Sequence, residues 1–146
     1  MALYVLHNIV YASCALIAGW LADHFRKTFV LATGYALAAV MALVIILTPM
    51  SLWMLRIVFI LGGIYVAVEE TLEDSLCAEL VAKERHGMAF GVLATVNGVG
   101  DLLSSVIVGA LWSRVGIAAA FGYSAILFCV GAWRVSQLTS RRPSDP

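Results

Sequence analysis

The chain has 146 residues, of which 62% are hydrophobic and only 12% are charged, and its formal net charge at pH 7 is +0. A soluble domain carries charge on about a quarter of its residues, so most of this chain needs lipid rather than water as its solvent. The lack of excess positive charge argues against nucleic acid as a partner.

Five apolar runs predict five transmembrane helices, because a helix needs about 20 apolar residues to cross a bilayer. In chain order they cover approximately residues 3–22, 28–47, 52–72, 88–112 and 117–135. A β-barrel would need alternating strands of about ten residues, and these runs are longer and do not alternate. We therefore expect an all-α integral membrane protein, with a transmembrane region over residues 1–135 and a polar cytoplasmic tail over residues 136–146.

Lysine and arginine predict the orientation, because loops rich in them stay in the cytoplasm. Arg56 and Arg114 fall on one side of the predicted membrane. The other side holds Arg26, Lys27, Lys83, Arg85, Arg134, Arg141 and Arg142. The C-terminus should then be cytoplasmic and the N-terminus outside, in a cell membrane such as a bacterial inner membrane. An odd number of spans with an outside N-terminus is unusual without a signal, so we expect a fragment whose missing part precedes Met1.

A motif after the first apolar run carries a family resemblance. Residues 19–27 read Gly-Trp-Leu-Ala-Asp-His-Phe-Arg-Lys. They resemble the Gly-x-Leu-x-Asp-Arg-x-Gly-Arg-Arg signature that the major facilitator superfamily of secondary transporters repeats in a cytoplasmic loop of each half. His24 stands where the family has arginine, and a basic residue replaces its second glycine. The resemblance implies a conformational-switch loop made of Gly19, Asp23, Arg26 and Lys27.

Two later segments extend the resemblance over nearly the whole chain. Residues 79–91 are similar to the family's loop before its penultimate helix, and residues 109–121 are similar to its short outer turn before the last helix. Together they imply the last five of twelve helices, in a protein that moves a small solute by alternating access, often driven by protons. The implied partners are the lipid bilayer, the solute and the missing N-terminal half of the transporter.

Polar residues are distributed unevenly over the five spans. The second has no charge, and the fifth has none before Arg134. We expect these two to face lipid. The first, third and fourth carry the polar side chains, which predicts that they form one wall of a central cavity.

Asp101, near the middle of the fourth span, is the leading candidate for a proton or substrate site. Asn97, Ser104 and Ser105 are three or four residues away and share its helix face. A carboxylate at this depth is costly unless it faces a cavity or a partner. The alternative is a neutral side chain that is satisfied by these polar neighbours at a helix contact.

Two further clusters are candidates for the same pathway. Glu69 and Glu73 are one helical turn apart near the predicted cytoplasmic end of the third span, as are Glu70 and Asp74. Crowded carboxylates influence one another's titration, which suits proton coupling, but a solvated helix end is the alternative. In the first span, a face suited to hydrogen bonding with a solute or with another helix contains Tyr4, His7, Asn8 and Tyr11.

Other features favour structural interpretations. Arg56 can extend its charge to the outer edge of the membrane. The glycines at 87, 91, 98, 100 and 109 predict close packing of the fourth helix. The cysteines at 14, 77 and 129 lie singly in apolar runs, and we expect no metal or cofactor.

We also weighed an enzyme and a non-transporting protein. Gly98-Val99-Gly100-Asp101 matches the Gly-x-Gly-Asp pattern of intramembrane aspartyl proteases, but that chemistry needs a second aspartate within another span. No other catalytic arrangement appears, so we expect no enzyme. The remaining alternative to a transporter is a membrane remnant or packing partner that retains the fold.

Overall fold

A computed structural model describes residues 1–138. The rest of the predicted tail lies outside the described residues, including two of the arginines used for the orientation, Arg141 and Arg142. The described chain forms five helices and no strand: α1 (Ala2–His24), α2 (Lys27–Leu47), α3 (Leu52–Leu80), α4 (His86–Arg114) and α5 (Ile117–Gln137). All five are long and apolar enough to cross a membrane, which confirms the predicted fold class.

Local chemistry explains where the helices begin and end. Thr48 closes α2 in an extended conformation, as expected for a residue before proline, because the ring of Pro49 disfavours helical backbone there. Ser51 then caps α3, since its Oγ accepts a hydrogen bond from the N–H of Met54 at 3.1 Å. Between α4 and α5, Gly116 has φ 124°, a backbone conformation that residues with a Cβ rarely adopt.

Helix α3 continues past residue 72, the predicted end of the third span, to Leu80. Its 29 residues correspond to a length of about 43 Å, more than the hydrocarbon core of about 30 Å. The acidic residues therefore lie on a continuous helix. A single turn of 3-10 helix, Lys83–Arg85, then leads into α4.

The packing centre of the described chain is α2, which contacts both α3 and α5, while α1 packs mainly against α3. Helix α2 contributes half of the buried residues of the described chain: Thr28, Val30, Leu31, Ala32, Gly34, Ala38, Ala39 and Ala42. This differs from the expectation that α2 simply faces lipid. The absence of charge permits burial against protein as well as against lipid, and here one face of the helix is buried while Phe29, Val40 and Leu47 remain exposed.

Helix α4 is the least buried element. None of its residues is buried, and its main contacts are with α5, α3 and the preceding turn. A Cβ built on Gly87, Gly91, Gly98, Gly100 or Gly109 would meet nothing within 4 Å. The predicted close packing through these glycines is therefore not present within the described chain. The close approaches lie elsewhere, at Gly34 and Gly63 on α2 and α3.

Candidate transport cleft

A cleft of about 550 Å³ lies between α3 and α4, with one side chain of α2 on its wall. It is lined by Tyr35, Glu69, Glu70, Glu73, Asp74, Phe90, Leu93, Ala94, Val96, Asn97, Gly100 and Asp101. Five of the nine acidic residues of the chain are in this lining, and no described lysine or arginine is. The cleft is thus strongly acidic, with an apolar strip supplied by α4.

Helical spacing accounts for this concentration of polar groups. Glu69 and Glu73 are four residues apart on α3, and Asn97 and Asp101 are four apart on α4, so each pair lies on one helix face. The two faces meet across the cleft. The structure therefore brings together five of the predicted pathway residues: Glu69, Glu70, Glu73, Asn97 and Asp101.

Three carboxylates on α3, those of Glu69, Glu70 and Glu73, each accept a hydrogen bond from a tyrosine hydroxyl. Tyr65, on the same helix, donates to Glu69 Oε1 at 2.6 Å. Tyr11 of α1 donates to Glu70 Oε2 at 2.5 Å. Hydrogen bonds to carboxylates are stronger than those between neutral groups. They fix the acidic side chains with donors that carry no charge of their own.

Glu73 has a donor on each of its oxygens. The hydroxyl of Tyr35, on α2, donates to Oε1 at 2.8 Å, and the Nδ2 of Asn97, on α4, donates to Oε2 at 2.8 Å. One carboxylate on α3 therefore joins two other helices.

Asp101 is in a different situation. Its side chain is exposed in the cleft, and within residues 1–138 no hydrogen bond to its carboxyl group is formed. The hydroxyl of Ser104 donates to the backbone carbonyl of Asp101 at 3.0 Å, while Asn97 bonds to Glu73 instead. The polar neighbours thus leave the carboxyl group of Asp101 without a hydrogen bond within the described residues.

The predicted polar face of α1 is divided in the structure. Tyr11 reaches the acidic region through Glu70. His7 instead lies against α3, with Nδ1 at 3.1 Å from the carbonyl oxygen of Phe59, and Asn8 donates to the backbone of Tyr4. His7 is not among the residues that line the cleft.

The residues of the predicted switch loop lie at the end of α1 and the start of α2. Lys27 forms an ion pair with Glu79 of α3 at 3.3 Å. Gly19 faces α3 at the position of Thr71, where an added Cβ would be 4.0 Å from the threonine methyl group. Asp23 and Arg26 are exposed. One member of the predicted loop is therefore connected to the same helix that carries the acidic cluster.

The opposite ends of the helices carry no comparable polar site in the described chain. A second cavity of about 450 Å³ lies there, with apolar walls that include Met54, Trp112 and Phe121. The guanidinium carbon of Arg56 is 4.7 Å from the ring centroid of Trp53, which keeps the charge at the predicted outer edge. Within residues 1–138 no group of histidine, cysteine and acidic residues is arranged to hold a metal ion.

Sequence reasoning missed Tyr35, Tyr65 and Glu79. The four-residue spacing between Tyr65 and Glu69 was available as a signal, since such pairs are neighbours on a helix. Tyr35 and Glu79 had no such signal, because their partners are on other helices.

Comparisons with known proteins agree with the resemblance in the sequence. The family model of the Major Facilitator Superfamily matches residues 1–146. An uncharacterized MFS-type transporter from Methanocaldococcus jannaschii is 30% identical over 129 residues, which are 87% of this chain and 31% of that relative. The chain thus spans less than a third of the length of this relative. No solved structure matches the chain.

Proposed function

The chain belongs to the Major Facilitator Superfamily, and on this premise we propose that it is the C-terminal portion of a proton-coupled secondary transporter for a small solute. Membership favours a transporter over the protease suggested by the Gly98-to-Asp101 pattern. The proposed mechanism is alternating access, in which the solute site opens to one side of the membrane at a time. The remainder of the transporter is proposed to supply the other wall of the pathway.

The observation that carries this proposal is the acidic cleft with Asp101 on its wall. Asp101 lies near the middle of α4, and its carboxyl group is not occupied by a hydrogen bond within the described residues. A carboxyl group at membrane depth that faces a cavity can gain and lose a proton without being exposed to lipid. We propose that it exchanges the coupling proton, and that Glu69, Glu70 and Asn97 line the shared route for proton and solute.

Asp101→Asn in the complete transporter tests this role. Asparagine keeps the size of the side chain and its hydrogen-bonding capacity but cannot titrate. We expect uphill uptake to be lost, by about 100-fold or more at matched protein levels, while downhill exchange continues. Vesicles that contain a pH-sensitive dye and are exposed to a panel of small solutes would report proton movement with each accepted solute.

Glu84→Gln is the matched control, because Glu84 is an exposed carboxylate on the turn before α4. It should leave proton movement unchanged. Vesicles with only the 146-residue chain should show no response to any solute. Uphill uptake at the wild-type rate in Asp101→Asn would instead favour a structural role for this residue, and a complete protein that moves no solute would favour the non-transporting alternative.

The chain is a multi-pass membrane protein, and we propose that it lies in a cell membrane with its C-terminus in the cytoplasm. In the described chain, most of the lysine and arginine residues lie in the connection from α1 to α2, in the turn between α3 and α4 and near the end of α5, which is the pattern of cytoplasmic loops. A reporter fused after Pro146 should read as cytoplasmic. If the reporter reads as external, the orientation is opposite to the one proposed.

A further inference from the structure

We propose that Tyr35 is a positioning residue for transport: acting through Glu73 and Asn97, it holds α4 in the orientation that places Asp101 in the cleft. The inference rests on the proposed function, because its importance for transport depends on Asp101 exchanging the proton. In this proposal, Glu73 holds the helices together and does not carry the proton.

The first step of the argument is the shared carboxylate. An ionised carboxylate only accepts hydrogen bonds, and Glu73 accepts one from Tyr35 and one from Asn97, each at 2.8 Å. Both donors are neutral, and they come from α2 and α4. Glu73 therefore transmits the position of the well-packed helix α2 to α4.

The second step is the weak packing of α4. Since α4 has no buried residue and a Cβ added to any of its glycines would meet nothing within 4 Å, apolar contacts give its orientation little support. A ring contact between Trp112 and Phe121, with centroids 5.7 Å apart, holds its C-terminal end against α5. The bond from Asn97 to Glu73 is the polar tie near its middle.

The third step is the spacing along α4. Asp101 follows Asn97 by four residues, so the two side chains lie on the same face, one turn apart. A rotation of α4 by one residue, about 100°, would carry both away from α3. A hydrogen bond that fixes Asn97 therefore also fixes the direction of Asp101 toward the cleft.

The fourth step is the rigidity of Tyr35 itself. Its ring lies 6.3 Å from the ring of Tyr65 and 6.5 Å from that of Phe128, measured between centroids. Contacts with α3 and α5 thus hold the ring, and the hydroxyl group is presented to Glu73 from a fixed place. Tyr35→Phe should keep this aromatic packing and remove only the hydrogen bond.

The experiment uses Asp101→Cys as a reporter of the orientation of α4. The complete transporter is placed in lipid nanodiscs with Cys14, Cys77, Cys129 and any cysteine of its remaining part replaced by alanine. A water-soluble, positively charged methanethiosulfonate then modifies a cysteine that faces the aqueous cleft and spares one that faces lipid. In this background we compare Tyr35→Phe, Asn97→Ala, the double variant and the control Tyr123→Phe, whose hydroxyl makes no hydrogen bond in the described chain.

We expect Tyr35→Phe to slow modification at position 101 by about tenfold, the effect of losing a hydrogen bond to a charged group. The double variant should be no slower than Asn97→Ala alone, because both substitutions break the same chain of contacts. Tyr123→Phe should react at the unsubstituted rate. A wild-type rate in Tyr35→Phe, or two effects that multiply, would overturn the inference.

Glu73→Gln gives a second test that does not depend on the folding of Tyr35→Phe. Glutamine can accept from the Tyr35 hydroxyl and donate its amide N–H to a flipped Asn97. We expect this variant to keep cysteine modification and, in the complete transporter, uphill uptake. If Glu73→Gln abolishes coupling as Asp101→Asn does, Glu73 carries the proton and the positioning role is wrong.

The two proposals fail in different ways. If Asp101→Asn loses coupling while Tyr35→Phe leaves modification unchanged, the proposed function stands and only the role of Tyr35 is lost. If Asp101→Asn remains fully coupled, the proposed function fails, and the role of Tyr35 in transport fails with it.

Discussion

Helices α2 and α4 are both long enough to cross the membrane, yet they relate to the rest of the chain in opposite ways. Helix α2 carries no charge after Lys27 and is the most buried helix, whereas α4 carries Asn97 and Asp101 and has no buried residue. Helix α2 is held by close contact of small side chains along α3 and α5. Helix α4 is held near its middle by a polar tie and near its end by one ring contact.

The difference shows that two membrane helices of one chain can be held by different kinds of contact. In lipid, apolar side chains gain little by leaving the bilayer, so helices associate through close van der Waals contact and hydrogen bonds. Ala38, Ala39 and Ala42 let α2 make such contact. The glycines of α4 point into open space, so its position depends on a few polar and aromatic contacts, which the proposed transport cycle would break and remake.

The largest effect that separates the two helices is expected from alanine at matched glycines. A Cβ at Gly34 of α2 would lie 2.8 Å from Cγ1 of Val68, and valine cannot easily turn away, since it is stiff in a helix. Gly34→Ala should therefore destabilise the chain by about 1–3 kcal/mol, the usual cost of overpacking. Gly98→Ala on α4 meets nothing within 4 Å and should stabilise the chain by about 0.5–1 kcal/mol through helix propensity.

Unfolding of the two variants in detergent, monitored by circular dichroism, would measure this contrast. Equal shifts of the unfolding midpoint in both would mean that α2 and α4 are packed alike, contrary to the structure. A stabilised Gly34→Ala variant would show that the side chain of Val68 can move aside without a loss of stability.

A smaller effect is expected from the ion pair that fastens the start of α2 to α3. Lys27 and Glu79 are 3.3 Å apart, with side chains 17% and 39% exposed. Partly exposed pairs of this kind contribute about 0.2–1 kcal/mol, so Lys27→Met should lower the stability by an amount in this range. Added salt should reduce the difference from wild type, because it screens the pair.

Lys83→Met is the matched control, since Lys83 is exposed on the turn before α4 and has no ion-pair partner among residues 1–138. Unfolding in low and high salt would compare the two lysines. If both substitutions cost the same at both salt concentrations, the pair with Glu79 adds nothing to the attachment of α2.

The acidic residues illustrate how far the sequence alone leads to a site. The spacing of Glu69, Glu73, Asn97 and Asp101 predicts two polar faces, and the structure places these faces on one cleft. Their role in a pathway remains a prediction. His7 satisfied the same criterion of a polar side chain within a span, but it lies against the backbone of α3 outside the cleft lining. A helical pattern predicts on which face of its helix a side chain lies, but it does not predict which other helix packs against that face.

The sequence by itself determined the membrane environment, the five helices and the family. These follow from the lengths of apolar runs and from local motifs, which depend on residues close together in the chain. Only the tertiary structure decided that the charge-free helix α2 is the packing centre, that Tyr35 and Asn97 share the carboxylate of Glu73, and that Lys27 pairs with Glu79. Such contacts join residues distant in the chain, and in a mostly apolar protein many helix arrangements satisfy the same hydrophobic pattern. The choice among them depends on close packing and on a few polar contacts between helices.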